Sequence, residues 1–435
     1  LKMRFLDDIA YPFHVNPQFK VLVPLTDTPE SWVIWRPGNK PLLLLYQPHD
    51  FWHAVSEIPN EAWVQYFDIN ILRKPEDAKN HFSNLKHSAF LGEILPTSQD
   101  RNLGGYLSAY EDKPNIDHWQ LGVRNPPALY AELNWYRSIK TPYEQHCIRE
   151  ANRISVKGHR AARESFLNGG SEFEIAQAFL NACAQSENEL AYPCIVGINQ
   201  QAAILHKQGH DKIRPHQQQL KSMLIDAGAQ YNGYASDITR THAYQDGLFA
   251  DLIVALDKQQ QILAANISPG QSYVDATLDA LLRVASLLKE TGVFTIEPEA
   301  AFETGVIHAF MPHRLGHFVG LQVHDVGGDL KDVTGAILDP DPRIPRAPLM
   351  RPFEPGQVLT VEPGFYFIDL LLKPLSEGVH RHAVNWNVVE QLKPYGGIRI
   401  EDNVLVKADR AENLTRQAFD NQHAESPQRN RNEKE

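Results

Sequence analysis

The chain has 435 residues, of which 42 are Lys or Arg and 53 are Asp or Glu, so its formal net charge is −11 with neutral histidines. Hydrophobic residues make up 43% and charged residues 22% of the sequence, which is typical of a folded enzyme and excludes a disordered or collagen-like chain. An acidic chain without a basic stripe is a poor partner for nucleic acid, and no apolar run approaches the roughly 20 residues that cross a bilayer. The prediction is an enzyme of two or three domains that acts on a small molecule or peptide, without nucleic-acid or membrane contacts.

The cysteines indicate the compartment. Cys147, Cys183 and Cys194 are odd in number and lack Cys-x-x-Cys spacing. This pattern argues against a disulfide framework and against a zinc-thiolate site. It predicts a reducing, cytoplasmic location.

The first part of the chain predicts a small α/β domain over residues 1–138. Two β-rich runs, 31–35 and 42–46, flank a turn-forming Pro-Gly-Asn cluster and indicate a hairpin. Further short apolar runs at 66–72 and 89–95 alternate with a polar helical stretch near 75–85.

A second domain, of mixed α and β type, is predicted over residues 139–420. Thr141 and Ser171 each stand three residues before a Glu, which predicts capped helices that run to about 167 and 186. Periodicity predicts further helices at 248–266 and 273–290, and strands at 223–225, 234–244, 357–367 and 398–406. A long loop is expected at 339–355, and a disordered tail over 421–435.

Two acids lie beside a predicted hairpin turn. Asn232-Gly233 favours a two-residue turn. That turn pairs Asp226 with Thr239 and makes Asp237 the diagonal neighbour of Asp226 on the same face. Diagonal neighbours lie roughly 7 to 8 Å apart, so two carboxylates can converge on a cation. The alternative is that Asp226 is a turn or edge residue and Asp237 is a solvent-exposed acid on a strand. However, Asp226 interrupts an apolar strand, where an acid is costly unless it is paired or metal-bound.

Histidines and two further acids complete the candidate set. His313, His317 and His324 lie among glycines, which indicates imidazoles aimed into a cavity or, alternatively, a pH-sensitive surface cluster. Glu362 and Glu401 interrupt apolar strands, where each alone is most often a surface residue. Four carboxylates with one imidazole form an oxygen-rich set that suits Mn²⁺ or a similar hard divalent ion. Because paired metals activate water, the predicted reaction class is metal-assisted hydrolysis.

The order of these motifs resembles a known family. Five residues occur in order in the contexts Asp-Ala-Gly, Asp-Ile-Thr-Arg, His-x-Leu-Gly-His, Glu-Pro-Gly and Arg-Ile-Glu-Asp: Asp226, Asp237, His317, Glu362 and Glu401. This series resembles the metallopeptidases of the pita-bread fold. Within that family, segments 137–144, 203–206 and 321–328 are similar to bacterial-type prolidases, the Xaa-Pro dipeptidases also described as organophosphorus acid anhydrolases. The similarity covers nearly the whole chain.

The resemblance implies an α+β fold, with a C-terminal pita-bread (creatinase/aminopeptidase-like) domain and a smaller N-terminal α/β domain that lacks about its first helix and strand. It implies two Mn²⁺ ions per subunit, with Co²⁺ or another divalent ion as alternatives, and a homodimer or dimer of dimers. The implied activity is hydrolysis of dipeptides with C-terminal proline, with organophosphorus esters as side substrates. Two alternatives stay open: an Xaa-Pro aminopeptidase for longer peptides, and a non-catalytic binding protein of the same fold.

The resemblance also assigns roles by position. One metal is held by Asp226, Asp237 and Glu401, and the other by Asp237, His317, Glu362 and Glu401. Glu362 also carries the proton to the leaving nitrogen. The substrate is surrounded by His206, His313, His324 and Arg399, with Arg399 gripping the terminal carboxylate. The expected pocket walls are Tyr192, Leu205, Val323 and Asp8, with Asp8 reaching the partner subunit.

Three residues depart from the family pattern. Arg314 stands where Gly is usual between the two histidines, Lys207 replaces a usual Tyr, and Phe318 replaces a frequent second His. None of the three is a metal ligand by the resemblance. The bulky cation of Arg314 is expected either to narrow the leaving-group side of the pocket or to require a changed backbone there, and in both cases to affect substrate range and rate.

Overall fold

The computed structural model describes residues 4–5, 7–52, 59–82, 87–92, 122–339, 341–344 and 351–429, with backbone alone for 422–429. Contacts divide the chain into two units, Leu1–Tyr130 and Ala131–Glu435. The domain limits at 138 and 139 stay a prediction from the sequence. Within the described ranges, every helix is too short or too polar to span a membrane.

The first unit is built on a three-stranded sheet. Its strands are β1 (Trp32–Ile34), β2 (Leu42–Tyr46) and β3 (Asp68–Leu72), in that spatial order. β1 and β2 pair antiparallel, so the hairpin prediction is confirmed, and β2 and β3 pair parallel. Alternate residues of β2 face opposite sides, with Leu43 packed near Val23 and Leu44 packed near Phe82.

Further short elements belong to the described part of this unit. They are helix α1 (Pro17–Lys20), the 3₁₀ helices Ala62–Tyr66 and Pro75–His81, and the parallel pair β4 (Ala89–Phe90) and β5 (Val123–Arg124). The helical stretch near 75–85 is therefore a 3₁₀ helix in its first part, and 83–86 lie outside the described residues. The run at 89–95 begins as a strand, and 93–95 also lie outside them.

Helix α2 (Pro127–Arg137) crosses the boundary between the units. The helices that follow are α3 (Pro142–Leu167), α4 (Glu172–Cys183), α5 (Leu248–Asn266), α6 (Tyr273–Glu290), α7 (Pro298–Glu303), α8 (Asp369–Glu377), α9 (Trp386–Leu392) and α10 (Leu414–Arg429). Short 3₁₀ helices lie at Glu187–Glu189, Asn199–Ala203, Gln217–Gln219, Val306–Ala309, Arg381–Ala383 and Lys393–Tyr395.

Local sequence explains where the helices begin and end. Both predicted capping boxes form, at Thr141 before α3 and at Ser171 before α4. Helix α4 ends at Cys183 rather than near 186, because Ala184 adopts a left-handed conformation with φ 53°. Helix α10 continues to Arg429, so the disordered tail predicted from 421 is corrected: 421–429 extend a helix, and 430–435 lie outside the described residues.

The strands of the second unit form several small sheets. They are β6 (Ile195–Ile198), β7 (Ser222–Asp226), β8 (Gln230–Tyr231), β9 (Tyr234–Ala235), β10 (Thr239–Ala243), β11 (Val358–Val361), β12 (Gly364–Tyr366), β13 (Gly397–Arg399), β14 (Asp402–Val406) and β15 (Ala411–Asn413). Their spatial orders are β10-β7-β6, β11-β14-β15, β12-β13 and β8-β9, all antiparallel.

The predicted register around the Asn-Gly turn is confirmed. Asn232 and Gly233 connect β8 and β9 with φ values of 48° and 81°, as a tight hairpin turn requires. Asp226 then lies opposite Thr239. Three long predicted strands are each broken in the middle, and the breaks fall at Asp237, at Glu362 and just before Asp402. The candidate acids therefore sit at interruptions of the strands.

Two hydrophobic cores support the strands that carry these acids. Helices α3 and α4 cover β6 and β7, with Phe166 and Phe179 in one core. Helices α5 and α6 pack with β11 and β14 in a larger core that includes Leu256 and Val404. An isolated backbone bridge between Thr239 and Glu401 joins the two groups of strands. The candidate site is thus held by backbone that both cores support.

Candidate metal centre and substrate cavity

Three of the predicted metal ligands converge. Asp237, His317 and Glu401 each offer one ligand atom, and these atoms lie within 4.8 Å of one another. Asp237 Oδ2 lies 3.4 Å from His317 Nε2. All three side chains are buried, so neighbouring protein groups determine their positions.

The other two predicted ligands, Asp226 and Glu362, line the same cavity of about 320 Å³. Glu362 Oε1 lies 3.7 Å from His317 Nε2. Asp226 ends β7, and its Oδ2 pairs with the guanidinium of Arg399. The structure therefore brings all five predicted ligands to one cavity, with three of them in the compact group.

The hydrogen bonds of His317 prepare it to bind a cation. Its Nδ1 lies 2.9 Å from the carbonyl oxygen of Phe318, so Nδ1 carries the proton and donates it there. Nε2 is then the ring nitrogen that faces Asp237 and Glu362, and it is the atom available to a cation. A backbone carbonyl that fixes the tautomer in this way is the usual support of a metal-bound histidine.

The hydroxyl of Tyr192 joins two of the acids. Its Oη lies 2.5 Å from both Asp226 Oδ1 and Asp237 Oδ1. One phenol has a single proton to donate, so the two carboxylates share one donor. Tyr192, predicted as a pocket wall, thus contacts the acids directly.

Burial of so many acids shifts their ionisation. Burial raises the pKa of Glu401 well above its usual range, and the neighbouring charge of Asp237 adds to the effect. Burial likewise raises the pKa of Asp226, and that of Glu362 to about 7. Burial also acts to raise the pKa of Asp237, but the hydrogen bond and charge of His317 lower it overall. A divalent cation would compensate this concentration of carboxylates, and its preference for oxygen ligands matches the set.

Arg399 belongs to a chain of hydrogen bonds along the cavity wall. Its Nη1 donates to Tyr366 Oη at 2.9 Å, and its Nε donates to Thr239 Oγ1 at 3.1 Å. Tyr366 Oη lies 2.9 Å from His313 Nε2, and His313 Nδ1 lies 2.8 Å from the Arg314 carbonyl oxygen. The carbonyl can only accept, so His313 carries its proton on Nδ1 and accepts from Tyr366.

The remaining histidines also line the cavity. They are His206 and His324. The ring of His324 meets that of His317 edge to face, with centroids 4.1 Å apart. Burial, with the nearby His317, lowers the pKa of His324 to about 4, and burial lowers that of His313 to about 4, so both are neutral at pH 7.

The predicted pocket walls have different surroundings. Leu205 lines the cavity. Val323 packs against a buried cluster that includes Val319 and Leu321. Asp8 belongs to the first unit and is exposed, and its predicted role at the pocket stays a prediction.

Two supporting residues were missed by sequence analysis. Thr239 Oγ1 donates to Glu401 Oε2 at 2.6 Å and accepts from Arg399, and Tyr366 links Arg399 to His313. Thr239 could have been found, because the predicted register places it opposite Asp226. Tyr366 could not, since its position in an apolar strand gives no chemical signal.

The three departures from the family pattern lie in or beside the cavity. Arg314 and Phe318 line it. Lys207 is buried and forms an ion pair with Glu172 at the start of α4, at 2.5 Å. Glu172 also accepts from the backbone N–H groups of Ile198 and Asp211. The lysine therefore ties the segment that carries His206 to the core.

Comparison with known proteins defines the class of this chain. The model of metallopeptidase family M24 matches residues 146–408, and the model described as the Xaa-Pro dipeptidase N-terminal domain matches residues 1–119. The Xaa-Pro dipeptidase of Aeromonas hydrophila is 48% identical over 415 residues, which cover 95% of this chain and 90% of that protein. The Xaa-Pro dipeptidase of Stenotrophomonas maltophilia is 44% identical over 421 residues, which cover 96% and 90%.

Solved structures share the fold at lower identity. Zinc-substituted aminopeptidase P of Escherichia coli, in complex with product, has a TM-score of 0.67 at 23% identity and covers 94% of this chain and 87% of its own. Aminopeptidase PepP of Pseudomonas aeruginosa has a TM-score of 0.66 at 22% identity, with the same coverage.

The chain belongs to metallopeptidase family M24 and has the pita-bread fold. The predicted family, the α+β fold class and the assignment as an enzyme are confirmed, and membership of this family implies a divalent-metal site. Within the family, the relatives reported above are Xaa-Pro dipeptidases, which are also called prolidases.

Proposed function

We propose that this enzyme hydrolyses Xaa-Pro dipeptides with the aid of two divalent metal ions. Mn²⁺ is the proposed ion, and Co²⁺ or another divalent ion is the alternative. The observation that carries the proposal is the convergence of Asp237, His317 and Glu401 within 4.8 Å, at a cavity also lined by histidines and Arg399. The names of the relatives support the substrate class.

The ligand assignment follows the resemblance. Asp226, Asp237 and Glu401 would hold one ion, and Asp237, His317, Glu362 and Glu401 would hold the other. Two observations support it: the orientation of His317 Nε2 towards Asp237 and Glu362, and the position of Asp226 and Glu362 on the same cavity. When bound, divalent ions make a coordinated water more acidic and stabilise negative charge on a carbonyl oxygen.

Glu362 is the proposed proton carrier. Its carboxylate is partly accessible from the cavity, with 17% of the side chain exposed. Its Oε1 is within 3.4 Å of Thr360 Oγ1, and its Oε2 lies 3.9 Å from Arg399 Nε. From this position on the cavity, the carboxylate takes a proton from the attacking water and delivers it to the proline nitrogen as the peptide bond breaks.

Arg399 is the proposed clamp for the substrate carboxylate. Its bonds to Thr239, Tyr366 and Asp226 use three of the five N–H groups of a guanidinium. Among the described residues this leaves two N–H groups on an oriented, buried cation. His206, His313 or His324 can add hydrogen bonds to the substrate or to the developing oxyanion.

The decisive experiment measures proline release from Leu-Pro. The chelator-stripped protein is assayed with and without Mn²⁺, beside Glu401→Gln and a matched surface control, Glu390→Gln, whose side chain is exposed. We expect Mn²⁺-dependent cleavage that is lost in Glu401→Gln and kept in Glu390→Gln. Equal activity of the two variants would overturn the proposal.

A tripeptide tests the alternative of an Xaa-Pro aminopeptidase. A carboxylate clamp that ends the pocket should refuse Gly-Pro-Pro, so we expect Leu-Pro cleavage to be insensitive to it. Competition by the tripeptide with release of its first residue would favour the aminopeptidase. Failure to bind any divalent ion would favour the binding-protein alternative.

Three further parts of the proposal rest on the sequence and the resemblance. They are organophosphorus ester hydrolysis as a side activity, a homodimer or dimer of dimers, and a cytoplasmic location. The cytoplasmic location is supported by Cys147, Cys183 and Cys194, which are all buried and free. The phosphoryl activity has a chemical reason, because a tetrahedral phosphorus centre resembles the transition state of peptide hydrolysis.

A further inference from the structure

Asp237 lies in a gap between strands. Strand β9 ends at Ala235 and β10 begins at Thr239, so the peptide groups of residues 236–238 need other partners. Ser236 N donates to the carbonyl oxygen of Ala229, and the carbonyl oxygen of Ile238 accepts from Ala227 N. Asp237 itself is paired with a side chain.

That side chain is Asn403. Its Oδ1 accepts from Asp237 N at 3.0 Å, and its Nδ2 donates to the Asp237 carbonyl oxygen at 2.7 Å. A carboxamide has the same donor and acceptor as a peptide group, so Asn403 replaces a missing strand neighbour. It fixes both polar groups of the Asp237 backbone.

Asn403 is held in turn by the first turn of α10. Thr415 Oγ1 accepts from Asn403 N at 2.9 Å and donates to Asn152 Oδ1 at 2.6 Å. Asn152 Nδ2 donates to Asn403 Oδ1 at 3.0 Å. All three side chains are fully buried, so this network has no water to replace a lost partner.

The next residue, Arg416, leads to the other acid. Its Nε donates to Asp402 Oδ2 at 2.7 Å. Asp402 Oδ1 accepts from Arg240 Nη2 at 2.6 Å, and Arg240 Nη1 donates to the carbonyl oxygen of Glu401 at 2.7 Å. Thus hydrogen bonds connect Thr415 to the backbone of Asp237, and a second series connects Arg416 to the backbone of Glu401.

We propose that Thr415 and Arg416, on the first turn of the final helix, are positioning residues that set the separation of Asp237 and Glu401 and thereby the metal affinity of the site. Two nearby carboxylates disfavour each other's charged form, so their separation depends on how firmly the two backbone segments are held. Both segments are interrupted strands, and both are held by networks that meet at adjacent residues of α10. This inference rests on the proposed metal centre.

The test measures Mn²⁺ affinity of the chelator-stripped full chain by calorimetry and by electron paramagnetic resonance, without any assay of activity. Thr415→Val removes the hydroxyl at nearly constant volume, and Thr415→Ser restores it. Loss of a supporting hydrogen bond behind a metal ligand weakens binding by roughly 10- to 100-fold. We expect a loss in this range for Thr415→Val and near wild-type affinity for Thr415→Ser.

Two more variants keep the test decisive. Arg416→Gln changes a side chain that is 25% exposed, so it should fold even if Thr415→Val does not, and we expect several-fold weaker binding. Gln417→Gly is the matched control, because it weakens the same helix at an exposed position outside both networks. We expect it to lower the melting temperature and leave Mn²⁺ affinity unchanged.

The outcomes separate this inference from the proposed function. Wild-type affinity in both Thr415→Val and Arg416→Gln would overturn the positioning role. An equal loss of affinity in Gln417→Gly would also overturn it, because the effect would then come from helix stability alone. A wild-type chain that binds no Mn²⁺ would refute the metal centre itself, and the positioning role with it.

Discussion

Lys207→Met tests the buried ion pair with Glu172. The side chains are 8% and 1% exposed, and the charged atoms lie 2.5 Å apart. Removing one partner of a buried pair costs about 3 to 5 kcal/mol, because the other charge stays buried. Glu172 keeps two backbone donors, at 3.0 and 2.9 Å, which places the expected loss near the lower limit, about 3 kcal/mol.

Urea unfolding measures this loss, and two further variants interpret it. In Lys207→Met/Glu172→Gln no charge is left buried, so we expect a clearly smaller loss than in Lys207→Met alone. Arg214→Met breaks an exposed pair with Glu174 on the same helix, and we expect little change because water screens that pair. A loss below about 1 kcal/mol for Lys207→Met, or an equal loss in the double variant, would refute the reasoning.

Three other predictions concern the cavity and the core. Arg314→Gly removes a cation from the cavity wall, and Leu-prolinamide lacks the carboxylate that such a cation attracts. The ratio of kcat/KM for Leu-Pro to that for Leu-prolinamide should therefore fall by about fivefold, while calorimetry finds unchanged Mn²⁺ affinity. An unchanged ratio would contradict this prediction. In Tyr192→Phe, the metal-free protein should lose about 1 to 3 kcal/mol, since two buried acids lose their shared donor. Urea unfolding should show that excess Mn²⁺ reduces this difference, and a constant difference would argue against metal between those acids. Burial and the charge of Arg240 lower the pKa of His159 to about 3, so the unfolded chain takes up a proton near pH 6.5 that the fold refuses, and stability falls as the pH decreases below 6.5. Between pH 6.5 and 5 the wild type should lose about 2 kcal/mol more than His159→Gln, and parallel urea curves would refute this.

Much of the metal centre follows from the sequence because turn chemistry determines register. Asn232-Gly233 places Asp226 opposite Thr239, and the structure has that pair. The acids are also visible because they interrupt apolar strands. The helices α3, α5 and α6 follow equally directly from capping and periodicity.

The supporting residues could not be predicted in the same way. Asn403 and Thr415 act on residues that are distant in sequence, and nothing local marks an Asn as a substitute strand neighbour. The strand breaks were missed for the same reason, since the long runs at 234–244 and 398–406 have continuous β propensity. Helix α10 extends past 421 although its last residues are polar, a composition that favours disorder when read alone.

Paired or bridged backbone carries acids of the proposed metal centre, whereas connecting segments carry other cavity-lining residues, and this difference has an evolutionary consequence. Asp226 and Glu401 belong to paired or bridged backbone, so a change in their spacing would break several hydrogen bonds at once. His206 and Arg314 lie on segments outside the named strands, where insertion and substitution are tolerated more readily. New substrate ranges should therefore arise in this lineage through the cavity rim, while the hydrolytic machinery stays the same.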